Sequence, residues 1–411
     1  MPRVASSLIT ASLLSIALCT VLGATACQSD LPMDEQPPPP GPVATLDDLE
    51  PGWNPIEPKG QTLCSDGTPY RFYARPGDPA RLVVYFQGGG GCFDARTCDP
   101  DVDPTYTINV AELDLSRYHG IFAFDHPENP FADASFVFAP YCTGDVHIGN
   151  RVASYQAPES EGHPAHEVTI YHHGASNVAA VLQWTFGHFF RPETIFVTGS
   201  SAGSIPSPYY ALHIAKRYPD ARVEQLGDGA GGYRGIGSGT RPHEEWGTLG
   251  VVADVPELAA LSPEEFTFES LYIAAAKNAP NVTFTEYDTA EDSVQLRFLE
   301  LGGNEATSLE PLLEANHADI RAAAPENFRV YVAGGDLHTI LARPEFYTYH
   351  VGGHRVRDWV AALAAGEEVE DVRCTDCEVA EVLEPPAPQG APEAQGVEPA
   401  DMPSGTGGSG S

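Results

Sequence analysis

The chain has 411 residues, with 22 Lys and Arg against 57 Asp and Glu, a formal net charge of −35. Lysine occurs only at Lys59, Lys216 and Lys277, so no basic stripe exists to neutralise phosphates and nucleic acid is a poor partner. The same field repels polyanionic ligands in general.

In chain order, the first feature is an export signal. Arg3 supplies a positive n-region, residues 5–22 are apolar apart from Ser and Thr, and Gly23, Ala24, Thr25 and Ala26 are small. This reads as a signal peptide over residues 1–26, too short and wrongly flanked for a lasting membrane span. Cys27 follows directly and is placed to carry the lipid of a bacterial cell-envelope lipoprotein, although Ala24 stands where a lipobox usually has Leu. Free secretion is the alternative. Cysteine arithmetic favours lipidation. Cys19 leaves with the signal, and Cys64, Cys92, Cys98, Cys142, Cys374 and Cys377 form an even set suited to an oxidising compartment, with Cys27 left over. The expected pairs are Cys92–Cys98, Cys374–Cys377 and Cys64–Cys142. Cys374-Thr-Asp-Cys377 has redox-motif spacing, but no thioredoxin-like pattern surrounds it, so it reads as a small structural loop.

Residues 27–45, with Pro37 to Pro40, form a Pro-rich linker, and residues 379–411 a disordered tail rich in Pro, Glu, Gly and Ser. Residues 46–378 suit one domain. Within it, β-branched and aromatic runs predict strands at 70–73, 82–86, 135–139, 194–198, 282–287 and 329–332. Helix-length segments lie at 175–190, 263–277, 309–324 and 356–365. The alternation predicts an α/β fold, a mostly parallel sheet with helices on both faces, whose chemistry sits at the carboxyl ends of the strands.

The sharpest motif falls at such an end. Gly199-Ser200-Ser201-Ala202-Gly203 follows the run Thr194-Ile195-Phe196-Val197-Thr198 and precedes a candidate helix from Ile205. This is a G-x-S-x-G nucleophile elbow in its strand–turn–helix setting, as in α/β-hydrolases, and it makes Ser201 the candidate nucleophile. Glycines flank the serine because the turn is too tight for side chains. Pro206 and Pro208 blur the start of the helix. Directly after residues 82–86 comes Gln87-Gly88-Gly89-Gly90-Gly91-Cys92, where backbone N–H groups can point into a cavity. Gly89, Gly90 and Ala202 are the candidate oxyanion donors. No Gly-Lys-Ser/Thr or G-x-G-x-x-G follows, which argues against a phosphate loop.

The base should be a late histidine, because this fold orders its triad Ser, then acid, then His. His338, just beyond residues 329–332, fits better than His350 or His354. The orienting acid is Asp288, Asp292 or Asp336, and spacing alone leaves the three open. A metal reading of His147, His163, His166, His172 and His173 lacks the usual zinc-ligand spacing, and Pro164 interrupts any helix through the first pair. These histidines read as loop or polar-rim residues.

Taken together the motifs resemble one family, the pectin acetylesterases, which include the Notum carboxylesterases of animals. The resemblance lies in the Gly88-to-Cys92 loop, in Tyr141-Cys142-Thr143-Gly144-Asp145-Val146-His147-Ile148-Gly149, in the Gly199-to-Gly203 elbow and in Asp292-Ser293-Val294-Gln295, with the surroundings of His338 also fitting. It implies an α/β-hydrolase fold and ester hydrolysis without a cofactor. It also implies Asp292 as the acid, since the family's acid opens an Asp-x-x-Gln stretch, with Asp288 as fallback. Tyr141 and Asp145 match positions that flank the family's site. In one respect the chain departs: family members commonly carry Trp beside the oxyanion glycines, where this chain has Gly90 and Gly91, so an aromatic wall is expected to be missing.

The leading expectation is a serine esterase that deacetylates a polysaccharide or a small ester. Removal of longer acyl groups from protein or lipid is the second reading, and a surface binding protein on the same fold the third. No protein partner is implied.

Overall fold

The computed structural model describes residues 45–159, 162–235 and 242–383. The expected signal, Cys27, nearly all of the linker and the tail from residue 384 lie outside these residues.

Among the described residues the main element is a nine-stranded sheet. In chain order the strands are β1 (Asn54–Ile56), β2 (Phe72–Arg75), β3 (Asp78–Phe86), β4 (Ala134–Ala139), β5 (Arg151–Ala157), β6 (His166–His172), β7 (Thr194–Ser200), β8 (Arg222–Asp228), β9 (Thr283–Thr289), β10 (Phe328–Ala333), β11 (Tyr349–Val351), β12 (His354–Arg355), β13 (Val372–Arg373) and β14 (Glu381–Val382). The sheet order is β1-β2-β4-β3-β7-β8-β9-β10-β13. Only the β1–β2 and β2–β4 pairs are antiparallel. The parallel registers bring one set of strand ends to one edge: Phe86 lies opposite Ala139 and Gly199, Ser200 opposite Asp228, and Thr289 opposite Ala333.

Strands β3, β4 and β7 are near-continuous apolar runs because both faces are covered. One face packs on helices α1 (Gly174–His188), α2 (Ser207–Arg217), α4 (Phe268–Asn278) and α6 (Glu310–Ala323), with Val181, Leu212, Leu271 and Leu313 in one core. Between these lie α3 (Pro242–Trp246) and α5 (Ser293–Leu301). The other face packs on α7 (Val356–Ala365), whose Val356, Val360 and Leu363 join Phe136, Tyr287 and Tyr331 in a second core. The α/β layering expected from the alternation is the observed one. No described helix is long and apolar enough to cross a membrane.

Boundaries moved where capping decides them. The first predicted strand starts two residues later, at Phe72. Helix α4 begins only at Phe268, where Thr267 and Ser270 form a reciprocal cap. After the elbow comes a one-turn 3₁₀ segment, Ser201–Gly203, and α2 starts at Ser207.

Besides the short strands β1, β11, β12, β13 and β14, two features escaped the sequence reading. The β5–β6 hairpin, with alternating burial, is a separate two-stranded sheet. The other omission is the central strand β8. Its Arg-Val-Glu-Gln-Leu-Gly-Asp has no apolar run, because its buried Gln225 is satisfied by polar partners: its Nε2 donates to Ser207 Oγ at 2.7 Å and Tyr272 Oη at 3.1 Å, and its Oε1 accepts from Thr285 N at 3.0 Å.

Three disulfides join Cys64 to Cys142, Cys92 to Cys98 and Cys374 to Cys377, the pairing expected. They mark a chain that matures in an oxidising compartment. Cys64–Cys142 spans 78 positions, and cross-linking a loop of that size limits the unfolded chain by about 4 kcal/mol in the chain-entropy account.

Candidate active site

Strand β7 delivers Ser201 to the sheet edge in a strained turn. Its φ of +54° lies in the left-handed region, uncommon for a residue with a Cβ, at a cost of about 1–3 kcal/mol. The flanking glycines are obligatory. A Cβ at Gly203 would stand 2.1 Å from the Phe86 carbonyl oxygen, and one at Gly199 2.3 Å from that of Gly203. Gly88 meets the serine from β3, since a Cβ there would lie 2.7 Å from Ser201 Cβ.

The loop after β10 carries His338, and its Nδ1–H donates to Asp292 Oδ2 at 2.7 Å. Asp292 is fully buried and is the N-cap of α5. Its Oδ1 accepts from Val294 N at 2.9 Å and Gln295 N at 3.1 Å, and its Oδ2 also accepts from Gln295 Nε2 at 3.0 Å. Four donors on two oxygens hold a carboxylate, and the carboxylate fixes the imidazole tautomer that leaves Nε2 as a proton acceptor. Of the other acids, Asp336 is exposed. Asp288 is buried, but its Oδ1 accepts from Gly231 N and Gln295 Nε2, both at 2.9 Å, and it touches the site only through Gln295. His350 lies in β11 beside Glu381, and His354 opens β12.

Behind Gln295 lies a buried charge cluster that the sequence reading missed. Burial, with Glu269 nearby, pushes the Glu286 carboxyl up to about 8, and burial beside Glu286 also raises Asp288. Arg373 donates to His317 Nδ1 at 2.8 Å, and His317 Nε2 stands 2.9 Å from Glu286 Oε2. Burial holds His317 down at about 3, so it is neutral. With Nδ1 occupied as an acceptor, its proton sits on Nε2, which leaves no lone pair there for a metal.

The glycine loop is anchored from both sides. Gly89 O accepts from Thr107 N at 2.9 Å, Cys92 N donates to Gly144 O at 2.9 Å, and Cys92–Cys98 closes the end. Gly90 has φ +81°, and a Cβ there would meet Thr105 O at 2.0 Å. His147 and His172 are buried, not rim residues as expected. The neutral His147 ring, held down to about 4 by burial, donates from Nε2 to Gln87 O at 2.8 Å. Asp145 accepts from Thr143 Oγ1 at 2.6 Å, His147 N at 3.1 Å and Gly174 N at 2.7 Å. Tyr141 Oη accepts from Val146 N at 2.9 Å. These bonds hold the 141–149 segment, whose Tyr141 packs against Gly89 of the glycine loop.

Beside Ser201 opens a small apolar cleft, partly open to solvent. Gly90, Ser201 and Ala202 form one side of it, and Trp246, Phe268 and Phe298 another. Gly89 is one residue removed from the lining. The aromatic wall expected to be missing is supplied from elsewhere in the chain. Trp246 of α3 donates from Nε1 to Cys92 O at 2.6 Å, and a Cβ on Gly90 would lie 3.2 Å from Phe298 Cζ of α5.

Asp228, at the end of β8, went unremarked in the sequence because its strand did. Its buried Oδ2 accepts from Ser200 Oγ at 2.6 Å and Leu341 N at 3.0 Å, and its Oδ1 from Ile340 N at 2.9 Å. Tyr85 donates to Ser200 Oγ at 2.8 Å.

A strained serine after a central parallel strand, an aspartate-held imidazole on a late loop and an adjacent glycine loop define a domain of the α/β-hydrolase type. Residues 56–234 match the family profile described as pectinacetylesterase. The human palmitoleoyl-protein carboxylesterase NOTUM is 27% identical over 176 residues, which cover 40% of this chain and 33% of the human protein. The zebrafish protein described as inactive palmitoleoyl-protein carboxylesterase notum1b is 33% identical over 91 residues, 21% of this chain and 66% of that protein. The structure of the Wnt deacylase Notum from Drosophila shares the fold, with a TM-score of 0.55 at 17% identity over 78% of this chain and 96% of that one. The likeness to the pectin acetylesterase/Notum family thus lies in residues 56–234 and in the shared fold. It spans about one third of the human relative's length.

Proposed function

We propose that the protein is an exported carboxylic-ester hydrolase with Ser201 as nucleophile, His338 as base and Asp292 as orienting acid. The observation that carries this reading is the 2.7 Å bond from His338 Nδ1 to a buried, fourfold-donated Asp292. It leaves His338 Nε2 to take the Ser201 proton as the hydroxyl attacks the ester carbonyl. The amides of Gly89, Gly90 and Ala202 bind the oxyanion, each donor contributing about 3–4 kcal/mol to the transition state. The alcohol leaves with the proton from His338, and water activated by the same ring then releases the acid. Covalent labelling by a fluorophosphonate, abolished in Ser201→Ala, tests the assignment; an unlabelled wild type would point to a binding protein on this fold.

The leading substrate is an acetyl ester on an extracellular polysaccharide. With a net charge of −35, neutral acetylated glycans should be hydrolysed at least as well as polyanionic pectin at low salt. Acetate release from acetylated xylan and from pectin, each at low and high salt, measures this, and a strong low-salt preference for pectin would count against it. The aromatic cavity supports a second reading, removal of longer acyl groups, for which a p-nitrophenyl ester series from acetate upward is decisive. Lipid on Cys27 would hold the enzyme at the bacterial cell envelope. Lipid labelling that Cys27→Ala abolishes tests the anchor.

A further inference from the structure

We propose that Asp228 is a positioning residue, clamping the loop that bears His338 to the turn that bears Ser201 and so setting the separation of base and nucleophile. The inference rests on the serine-esterase reading. Ser200 immediately precedes the nucleophile, and Ile340 and Leu341 follow the base by two and three residues. All three donate to one buried carboxylate. Tyr85 donates to Ser200 Oγ and thereby directs the hydroxyl proton of Ser200 at Asp228. The His338 loop is bent where it meets this clamp. Thr339 has a φ of +63°, and its Cγ2 packs so closely on Gly229 that a Cβ there would stand 2.9 Å away.

The chemistry of the three partners favours an ionised acceptor. Two are amides that can only donate, one to each carboxylate oxygen, and the third already accepts from Tyr85 and turns its proton to Asp228. Asparagine at 228 has one accepting oxygen, and its NH₂ would face either the Ile340 amide or the Leu341 amide, donor against donor. Protonation of the carboxyl removes the charge that strengthens all three bonds and makes one of its oxygens a donor. The ionisable groups that interact with Asp228 are Tyr85 on β3, Tyr287 on β9 and His338 on its loop. Burial pushes Asp228 up to about 6, against the pull of Ser200 and the two amides. An anion is therefore kept where burial favours the neutral form, which is a cost to folding that a purely structural residue would not carry.

The test uses the full chain with p-nitrophenyl acetate. Asp228→Asn should lower kcat about a hundredfold with KM little changed, the effect of a misplaced but intact base. Its Tm at pH 8 should stay well above the assay temperature, since loss of the buried charge offsets part of the donor conflict, so the fall in kcat is read on folded enzyme. In wild type the acid limb of kcat/KM should carry the protonation of Asp228, and in Asp228→Asn that component should be missing. Ser200→Ala provides a second, milder variant. Removing that hydrogen bond raises the Asp228 pKa, so the acid limb should move to higher pH. Wild-type kcat in Asp228→Asn, a loss of kcat that tracks a fall in Tm, or an unmoved acid limb in Ser200→Ala overturns the clamp. An unlabelled, inactive wild type removes the esterase reading and the clamp with it. A labelled wild type beside an unaffected Asp228→Asn removes the clamp alone.

Discussion

Replacing Asp292 with Asn probes the triad with almost no change in shape. The wild-type carboxylate receives four donors: His338 Nδ1 and Gln295 Nε2 on Oδ2, and the amides of Val294 and Gln295 on Oδ1. Asparagine must place its NH₂ at one of those two positions. At the Oδ1 position it would face two amides and break the cap of α5, costing about 1 kcal/mol for the cap alone before the donor conflict is counted. At the Oδ2 position it meets one donor, Gln295 Nε2, while the cap survives and His338 Nδ1 becomes the acceptor. The second arrangement should prevail. It moves the imidazole proton to Nε2, where it blocks abstraction from Ser201. The expected loss in kcat is about 10⁴-fold, equivalent to about 5.4 kcal/mol, with a small change in Tm. Asp288→Asn is the matched control, because Asp288 reaches His338 only through Gln295, and it should cost less than about tenfold. Steady-state hydrolysis of p-nitrophenyl acetate by both variants, with Tm measured in parallel, decides the matter. A near-normal Asp292→Asn beside a crippled Asp288→Asn would refute the reasoning and restore Asp288 as the acid.

Gln295→Leu removes the amide donor shared by Asp288 and Asp292 and strands the Gly232 N–H that bonds its Oε1 at 2.9 Å; thermal unfolding should show a loss of about 2–3 kcal/mol, and kcat should fall as well. The raised carboxyls make stability fall as pH rises. The folded chain retains protons on Asp145 and Asp228 up to about 6 and on Glu286 up to about 8, whereas the unfolded chain releases them near 4. Denaturant unfolding between pH 5 and pH 9 should show this slope, flattened at its upper end in Glu286→Gln, and an unchanged slope there would contradict the Glu286 assignment. Trp246→Ala opens the cavity wall and frees Cys92 O; it should cost about 3–5 kcal/mol of stability and shift the p-nitrophenyl ester preference toward longer chains.

The elbow at Ser201 could be read in one dimension because its constraint is local. A turn whose serine sits at φ +54° between a strand and a helix admits only glycine on either side, so the motif records the geometry. The disulfide pairs and the late histidine were legible for related reasons of parity and topological order. The aspartate was not chosen by spacing. Asp288 and Asp292 lie four residues apart at the end of β9, both buried, and what separates them is that one ends a strand while the other caps a helix directed at His338.

Other features were decided only by folding. Strand β8 carries polar residues that the interior satisfies, so its pattern is silent and Asp228 was invisible until the sheet placed it opposite Ser200. Trp246 and Phe298 rebuild an aromatic wall from segments about 150 and 200 residues beyond the glycine loop, since packing fills volume without regard to chain distance. The sequence alone therefore determined the elbow, the glycine loop and the cysteine set, through residues whose backbone strain or parity leaves a local trace. The tertiary structure set Asp292 against His338, Trp246 and Phe298 beside the glycine loop, and Asp228 between Ser200 and the loop after β10, because each contact depends on neighbours that converge only when the strands align.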